Sequence, residues 1–358
     1  MKETILIGTF TEEYGGIKNA PFGEGICQFE MDVDTLTAKL VHIYRDYRNP
    51  AYLALYGKEM YVVSERDDSS ELFVMKYDET EGIFKPQQSK TLTGAGSCHV
   101  TVWPGGTGVS VANYISGNVL AMPLEQSGLL GEPLYNFQYQ GKGVNPERQE
   151  GPHAHSTFTT PDGRYLLAAD LGLDLVKQYR LEGGEVLEYP QADISIDGGE
   201  GPRHLCFTPD GRTLYVVTEM GNHVYRYAYD PETGNAVFKQ KISTLADGTA
   251  IPEGGSTAAG IELSPDGRYL YVSNRGTDTI TVYSTGEDGA LTMVGSRDCG
   301  GKTPRSFCLS PDGTYLVVAN QDSDNVVIWK RNPETGMPEE KIQEFSVGKP
   351  VCVKIVRS

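Results

Sequence analysis

The sequence is short of positive charge. Its 31 Lys and Arg stand against 48 Asp and Glu, a formal charge of −17. A surface of that sign repels phosphate backbones and anionic lipid, so neither nucleic acid nor membrane is expected as a partner. Long apolar runs are missing too: no stretch approaches the roughly 20 residues of a membrane span. No secretory leader is expected, because the N-terminus enters the strand-like run Thr4-Ile-Leu-Ile-Gly8 at once. Together these absences point to a cytoplasmic protein. Metal-ligand spacing is also lacking. None of the six cysteines forms a Cys-x-x-Cys pair. His153 and His155 have i, i+2 spacing but no clustered thiol or carboxylate beside them. The expectation is a chain without metal or cofactor. Its thiols, Cys98, Cys206, Cys308 and Cys352 among them, are expected as small apolar fillers of strands rather than disulfides.

What the sequence does have is a repeat. Ser/Thr-Pro-Asp-Gly occurs at 160–163, 208–211, 264–267 and 310–313, in steps of 48, 56 and 46 residues. Pro presets φ, Asp bonds its own backbone and Gly accepts positive φ, so each copy reads as a tight turn. Runs such as Tyr165-Leu-Leu-Ala-Ala169 and Tyr315-Leu-Val-Val-Ala319 follow the turns, and alternating runs such as Thr279-Ile-Thr-Val-Tyr283 come next. These are strand signals. A four-stranded unit at this spacing is a β-propeller blade. Degenerate copies at Trp103-Pro-Gly105 and Tyr56-Gly-Lys58 make six blades. The seventh forms if Lys349–Ile355, which resembles a first strand, pairs with Thr4–Gly8, which resembles a second. The expected fold is therefore all-β: a seven-bladed propeller of four antiparallel strands per blade, closed by both termini, as one domain over 1–358. A six-bladed ring with loose ends is the alternative.

Aligning the repeats locates a site. The start of a blade's first strand and the end of its second share one rim. Six residues before the signature Pro stand His155, Arg203, Ala259 and Arg305; nine after it stand Asp170, Thr218, Asn274 and Asn320; ten after it stand Leu171, Glu219, Arg275 and Gln321. Polar strand ends explain the Asn and Thr positions, and Asn113 and Asn320 fit blade turns at least as well as ligands. An Arg, a His and a Glu at strand ends fit a binding site better. Asp170 either caps a turn or orients an imidazole. His99 and His204 share a position just inside the first strand, which suits packing. Arg203 and Arg275 carry the guanidinium forks suited to phosphate or carboxylate.

The segments Gly151-Pro-His-Ala-His-Ser156, Ala169-Asp-Leu-Gly172, Gly201-Pro-Arg-His204, Tyr271-Val-Ser-Asn-Arg275 and Ala319-Asn-Gln-Asp-Ser-Asp-Asn325 resemble the seven-bladed lactonase family, over essentially the whole chain. That family includes the propeller type of 6-phosphogluconolactonase and fungal carboxymuconate cyclases. The resemblance implies a cytoplasmic, metal-free enzyme opening or closing a lactone ring. It carries the cyclases' proposed catalytic set onto His155, Arg203, Arg275 and Glu219, with His153 as the alternative histidine. His153, Asp170, Asn274, Arg305 and Asn320 are the expected substrate contacts. The expected partner is a small sugar lactone or phospho-lactone, and the expected assembly a monomer or weak homodimer. The expected reaction is hydrolysis of 6-phospho-glucono-1,5-lactone in the pentose phosphate pathway. A muconate-type lactonising cyclase and a non-catalytic binding propeller are the alternatives. The chain departs from the family at Ile261-Glu262, where many members read Ile-His, and at Thr218, where many carry Asn.

Overall fold

The signature turns fold as their chemistry dictates. In the first, Thr160 Oγ1 donates to Asp162 Oδ1 at 2.6 Å, Arg164 N donates to the same oxygen, and Tyr165 N donates to Thr160 Oγ1. Gly163 closes the turn at φ +73°. The same hydroxyl-to-carboxylate bond recurs at Thr208, Ser264 and Ser310, at 2.5–2.7 Å. The Ser or Thr is thus as integral to the turn as Pro, Asp and Gly.

The computed structural model describes residues 2–132 and 135–357. Their strands form seven antiparallel sheets with the order of propeller blades. Six sheets begin at Pro50, Ser97, Ala154, Pro202, Thr257 and Pro304, and each takes its strands in chain order. The sheet beginning at Ala154 gains a fifth strand, Ile194–Ser195, against Leu175–Glu182. The seventh sheet runs Pro350–Arg357, Lys2–Thr9, Ile26–Asp32, Thr37–Tyr44. Its first pair sets Ile5 against Ile355, Ile7 against Val353 and Gly8 against Cys352. Both termini therefore share one sheet, as the sequence led one to expect. The fold class is a seven-bladed β-propeller. Two short 3₁₀ turns, Pro104–Gly106 and Pro190–Ala192, are the helical segments among the described residues.

The chain divides into two compact units. One comprises Ala51–Gly221 and Arg226–Lys239. Its core is apolar strand faces: Tyr61, Val63, Val109 and Val111 in one cluster, Leu166, Ala168, Tyr179 and Trp103 in another. The other comprises Met1–Pro50, Asn222–Tyr225 and Gln240–Ser358, with a core around Ile5, Ile7, Val317, Ile328 and Val353. Cys98, Cys206, Cys308 and Cys352 all fall on first strands, as expected.

A second periodic feature was not anticipated. Thirteen residues after the signature Pro come Asp174, Asn222, Asp278 and Asp324, all at φ between 52° and 55°. Asn and Asp are the side-chained residues that most readily adopt this conformation. The aspartates cap the loop leading to the next first strand. Asp174 accepts from Gly199 N and Gly201 N, Asp278 from Thr303 N, and Asp324 from Lys349 N.

Candidate functional site

Of the residues that the repeat alignment singled out, the Ala51–Gly221 unit gathers His155, Arg203 and Glu219. Asp174 holds Gly201, which leads into the strand Pro202–Phe207. Pro202 pairs with Thr218, so Arg203 at the start of one strand meets Glu219 just beyond the end of the next. Glu219 N donates to Gly201 O at 2.7 Å and locks that juxtaposition. Arg203 Nε donates to Glu219 Oε2 at 3.0 Å; both side chains are buried, 3% and 5% exposed. His155, on the strand Ala154–Thr159, places Nε2 3.8 Å from the same carboxylate oxygen. Ser156 Oγ bonds Arg203 O at 2.6 Å and joins the two strands at this level.

A residue that the repeat alignment missed completes the cluster. Arg148 Nη2 donates to Glu219 Oε1 at 2.7 Å and lies 3.4 Å from the Tyr114 hydroxyl. Both carboxylate oxygens of Glu219 are thus bonded by guanidinium groups. Arg148 sits in the loop before Gly151, outside the repeat. That loop is held by Asn145 Oδ1, which accepts from Glu147 N and Arg148 N, and by buried Gln149, which reaches Leu171 O. The available sequence signal was a lone Arg between an Asn-Pro turn and the Pro-His-Ala-His segment.

His153 points differently from His155. It stacks on Tyr114 with centroids 4.4 Å apart, its Nδ1 bonds Tyr114 O at 2.9 Å, and its Nε2 lies 3.2 Å from Glu150. Burial, then the Glu219 charge, pushes the Tyr114 hydroxyl above its ordinary value, so it stays protonated. Asp170 caps a turn: its Oδ1 accepts from His153 N and Leu173 N, and burial pushes its carboxyl up to about 6. It therefore orients the His153 backbone rather than an imidazole. Gly172 is required beside it, because a Cβ there would stand 1.9 Å from Gly151 O. His99 and His204 pack against each other with centroids 5.3 Å apart, and His204 lies 5.5 Å from His155.

Four sequence-indicated residues lie in the other unit. Asn274 donates to Thr244 O, and Asn320 reaches Cys299 O at 3.5 Å; both are fully buried. They tie turns, the role their strand-end position already suggested. Arg275 Nη2 donates to Ala258 O at 3.3 Å. Arg305 holds its guanidinium carbon 5.4 Å from the centre of the Phe10 ring. Among the described residues, no three His, Cys, Asp or Glu side chains are grouped to hold a metal ion. A cavity of about 560 Å³ in the Ala51–Gly221 unit, lined by Phe137, Lys177, Tyr179 and Glu188 among others, contains none of the site residues.

A fold of antiparallel blades with a buried Arg–Glu–His cluster defines a class that binds small polar molecules or does acid–base chemistry on them. The profile of the family "Lactonase, 7-bladed beta-propeller" matches residues 4–355. The chain belongs to that family. It is 33% identical to a 6-phosphogluconolactonase of Bacillus subtilis, over 98% of this chain and 97% of that one. A 6-phosphogluconolactonase of Formosa agariphila is 30% identical, over 81% of this chain and 82% of the other. The solved structure of the Pseudomonas aeruginosa periplasmic gluconolactonase PpgL superposes with a TM-score of 0.90 at 29% identity, covering 100% of this chain and 99% of that one.

Proposed function

We propose that this chain hydrolyses a sugar lactone, with 6-phospho-D-glucono-1,5-lactone as substrate and 6-phosphogluconate as product. The observation that carries the reading is Glu219, buried and clasped by two arginines, with the His155 imidazole beside it, in a chain of the lactonase family. The relatives' names supply the phosphorylated sugar acid.

The reaction needs a nucleophilic water, a place for negative charge on the carbonyl oxygen, and a proton for the leaving ring oxygen. His155 is assigned the proton transfers, since imidazole titrates near neutrality. It takes a proton from water as oxygen attacks C1. It returns that proton to the ring oxygen as the C1–O5 bond breaks. Glu219, with both oxygens already bonded by guanidinium groups, is the positioning partner that fixes Arg203 beside His155. Arg203 stabilises the oxyanion. Arg275 enters on the family resemblance alone, as a fourth residue whose loss lowers turnover. A lactone that opens spontaneously needs only modest help, and acid–base catalysis of roughly 10²- to 10⁴-fold suffices.

The unbroken family match over 4–355 supports reading the chain as one lactonase domain. No helix among the described residues is long and apolar enough to cross a membrane. A cytoplasmic site suits a phosphorylated substrate, although the PpgL relative is periplasmic. The test is lactone disappearance with and without the protein, across phosphorylated and unphosphorylated aldonolactones. Turnover of the phospho-lactone well above its spontaneous rate supports the reading. A rate equal to the spontaneous one for every lactone defeats it.

A further inference from the structure

Arg203 and Arg148 clasp the same carboxylate, but from opposite circumstances. Arg203 is 3% exposed and Arg148 is 41% exposed. Arg203 Nε is committed to Glu219, and its Nη1 lies 3.4 Å from His204 Nε2. Arg148 spends only Nη2, on Glu219 and Tyr114. Among the described residues, Arg148 Nε and Nη1 have no hydrogen-bond partner, so two donor groups of a rigid planar fork remain open to solvent. The loop beneath is fixed by Asn145 and Gln149, so the fork is held in place before any ligand arrives. A preorganised guanidinium with vacant donors is suited to bidentate recognition of a phosphate or carboxylate.

Substrate geometry says which anion. In a 1,5-lactone the exocyclic carbon C6 is attached to C5, and C5 is bonded to the ring oxygen that leaves. A group on C6 therefore stands on the leaving-oxygen side of the reacting carbon, close to whichever residue protonates that oxygen. His155 and Arg148 approach different oxygens of one carboxylate. The pose considered sets the ring oxygen towards His155 and the C6 substituent towards the exposed edge that Arg148 occupies.

Resting on the lactonase reading, we propose that Arg148 is the specificity residue of this site. It binds the C6 phosphate and thereby selects phosphorylated over unphosphorylated lactones. The sequence-based expectation suited Arg203 and Arg275 to a phosphate or a carboxylate. The burial of Arg203 leaves it better suited to the carbonyl oxygen than to a distal dianion.

The experiment compares wild type, Arg148→Ala and Arg148→Lys on 6-phospho-glucono-1,5-lactone and on glucono-1,5-lactone. Arg148→Ala is expected to lower kcat/KM for the phospho-lactone at least tenfold more than for the unphosphorylated lactone, with the extra loss mainly in KM. Arg148→Lys, which keeps the charge but not the fork, falls between. Equal losses on both substrates overturn the proposal, because Arg148 would then act only by positioning Glu219; no loss on either overturns it too. A calorimetric titration with inorganic phosphate decides independently of turnover. Wild type binds phosphate and Arg148→Ala binds it at least tenfold more weakly, whereas equal binding counts against the assignment. If wild type opens no lactone, the hydrolase reading falls, and the phosphate titration still judges Arg148.

Discussion

Glu219 is buried and Glu262 partly buried, on different repeats, and their surroundings solve the same problem in opposite ways. Glu219 lies between two guanidinium groups at 2.7 and 3.0 Å, with an imidazole 3.8 Å away. Glu262, on the strand Thr257–Leu263, accepts from Leu309 N at 3.2 Å and has the Cys308 thiol 4.0 Å away. Enclosure pushes the Glu262 carboxyl up to about 7, against smaller opposing effects from the Leu309 amide and the Lys354 charge. A carboxylate matched by cations keeps its charge in a dry place and can serve chemistry. One matched by an amide and a thiol keeps its proton instead. They hold different places in the repeat, Glu219 just beyond a second strand and Glu262 on a first strand, and neighbouring strands and loops contribute different side chains to each.

The sharpest way to break the contrast is Glu219→Gln. It preserves shape but leaves Arg203 buried beside a neutral amide. Losing one partner of a buried pair costs about 3–5 kcal/mol. Turnover is expected to fall at least 10²-fold, since His155 and Arg203 lose their common anchor. Chemical denaturation and steady-state kinetics measure the two effects. A stable, fully active variant would show that the clasp is incidental.

His155→Ala tests the chemistry without emptying the clasp. Arg203 and Arg148 still hold Glu219, so stability changes little, while kcat falls about 10²-fold with the loss of general acid–base help. The limb of the pH–rate profile that reports the imidazole should disappear with it. Unchanged kcat would hand the proton transfers to another group.

Glu262→Gln sharpens the other half of the contrast. The folded protein holds the Glu262 proton up to about pH 7, against an ordinary value of 4.5. Its contribution to stability is therefore present at low pH and is lost as pH rises from about 4.5 through 7. Glutamine does not titrate. The variant should become more stable relative to wild type between pH 5 and 8, by on the order of 2–3 kcal/mol, with lactonase activity unchanged. Thermal melts across that range measure the gap. A gap that does not change with pH would mean that Glu262 is charged throughout.

The two glutamates also mark how far the sequence could be read. The Ser/Thr-Pro-Asp-Gly turns, the strand runs and the sharing of one sheet by both termini are local chemistry repeated at fixed spacing, and they were legible. So was the meeting of Arg203 with Glu219, because an antiparallel hairpin returns those two positions to one end. The third member of the clasp was not. Arg148 belongs to a loop that no other repeat possesses, and only packing brings it to Glu219. The Asp174, Asp278 and Asp324 caps were legible in principle, standing at constant spacing from the turns, but their function depends on loops 25 to 27 residues onward. The enclosure of Glu262 was visible only as a departure from Ile-His.

Arg305 gives the smallest expected effect and the finest test. It occupies the same repeat position as His155 and Arg203, so repeat logic alone would place it in a site. Its guanidinium carbon lies over an aromatic face, 5.4 Å from the centre of the Phe10 ring. A cation over a ring contributes about 0.5–1 kcal/mol where solvent reaches it, and Arg305 is partly exposed. Arg305→Ala should therefore cost at least that much stability and leave kcat/KM for the phospho-lactone within about threefold. Arg305→Lys should recover part of the stability, since a cation over the ring is retained. The kinetics discriminate between reaction types as well as residues. A lactonising cyclase must hold two or three carboxylates and would recruit a further arginine. A tenfold or greater loss of kcat/KM with Arg305→Ala, together with turnover of a carboxylated muconate, would move Arg305 into the machinery and favour the cyclase over the phospho-lactone hydrolase.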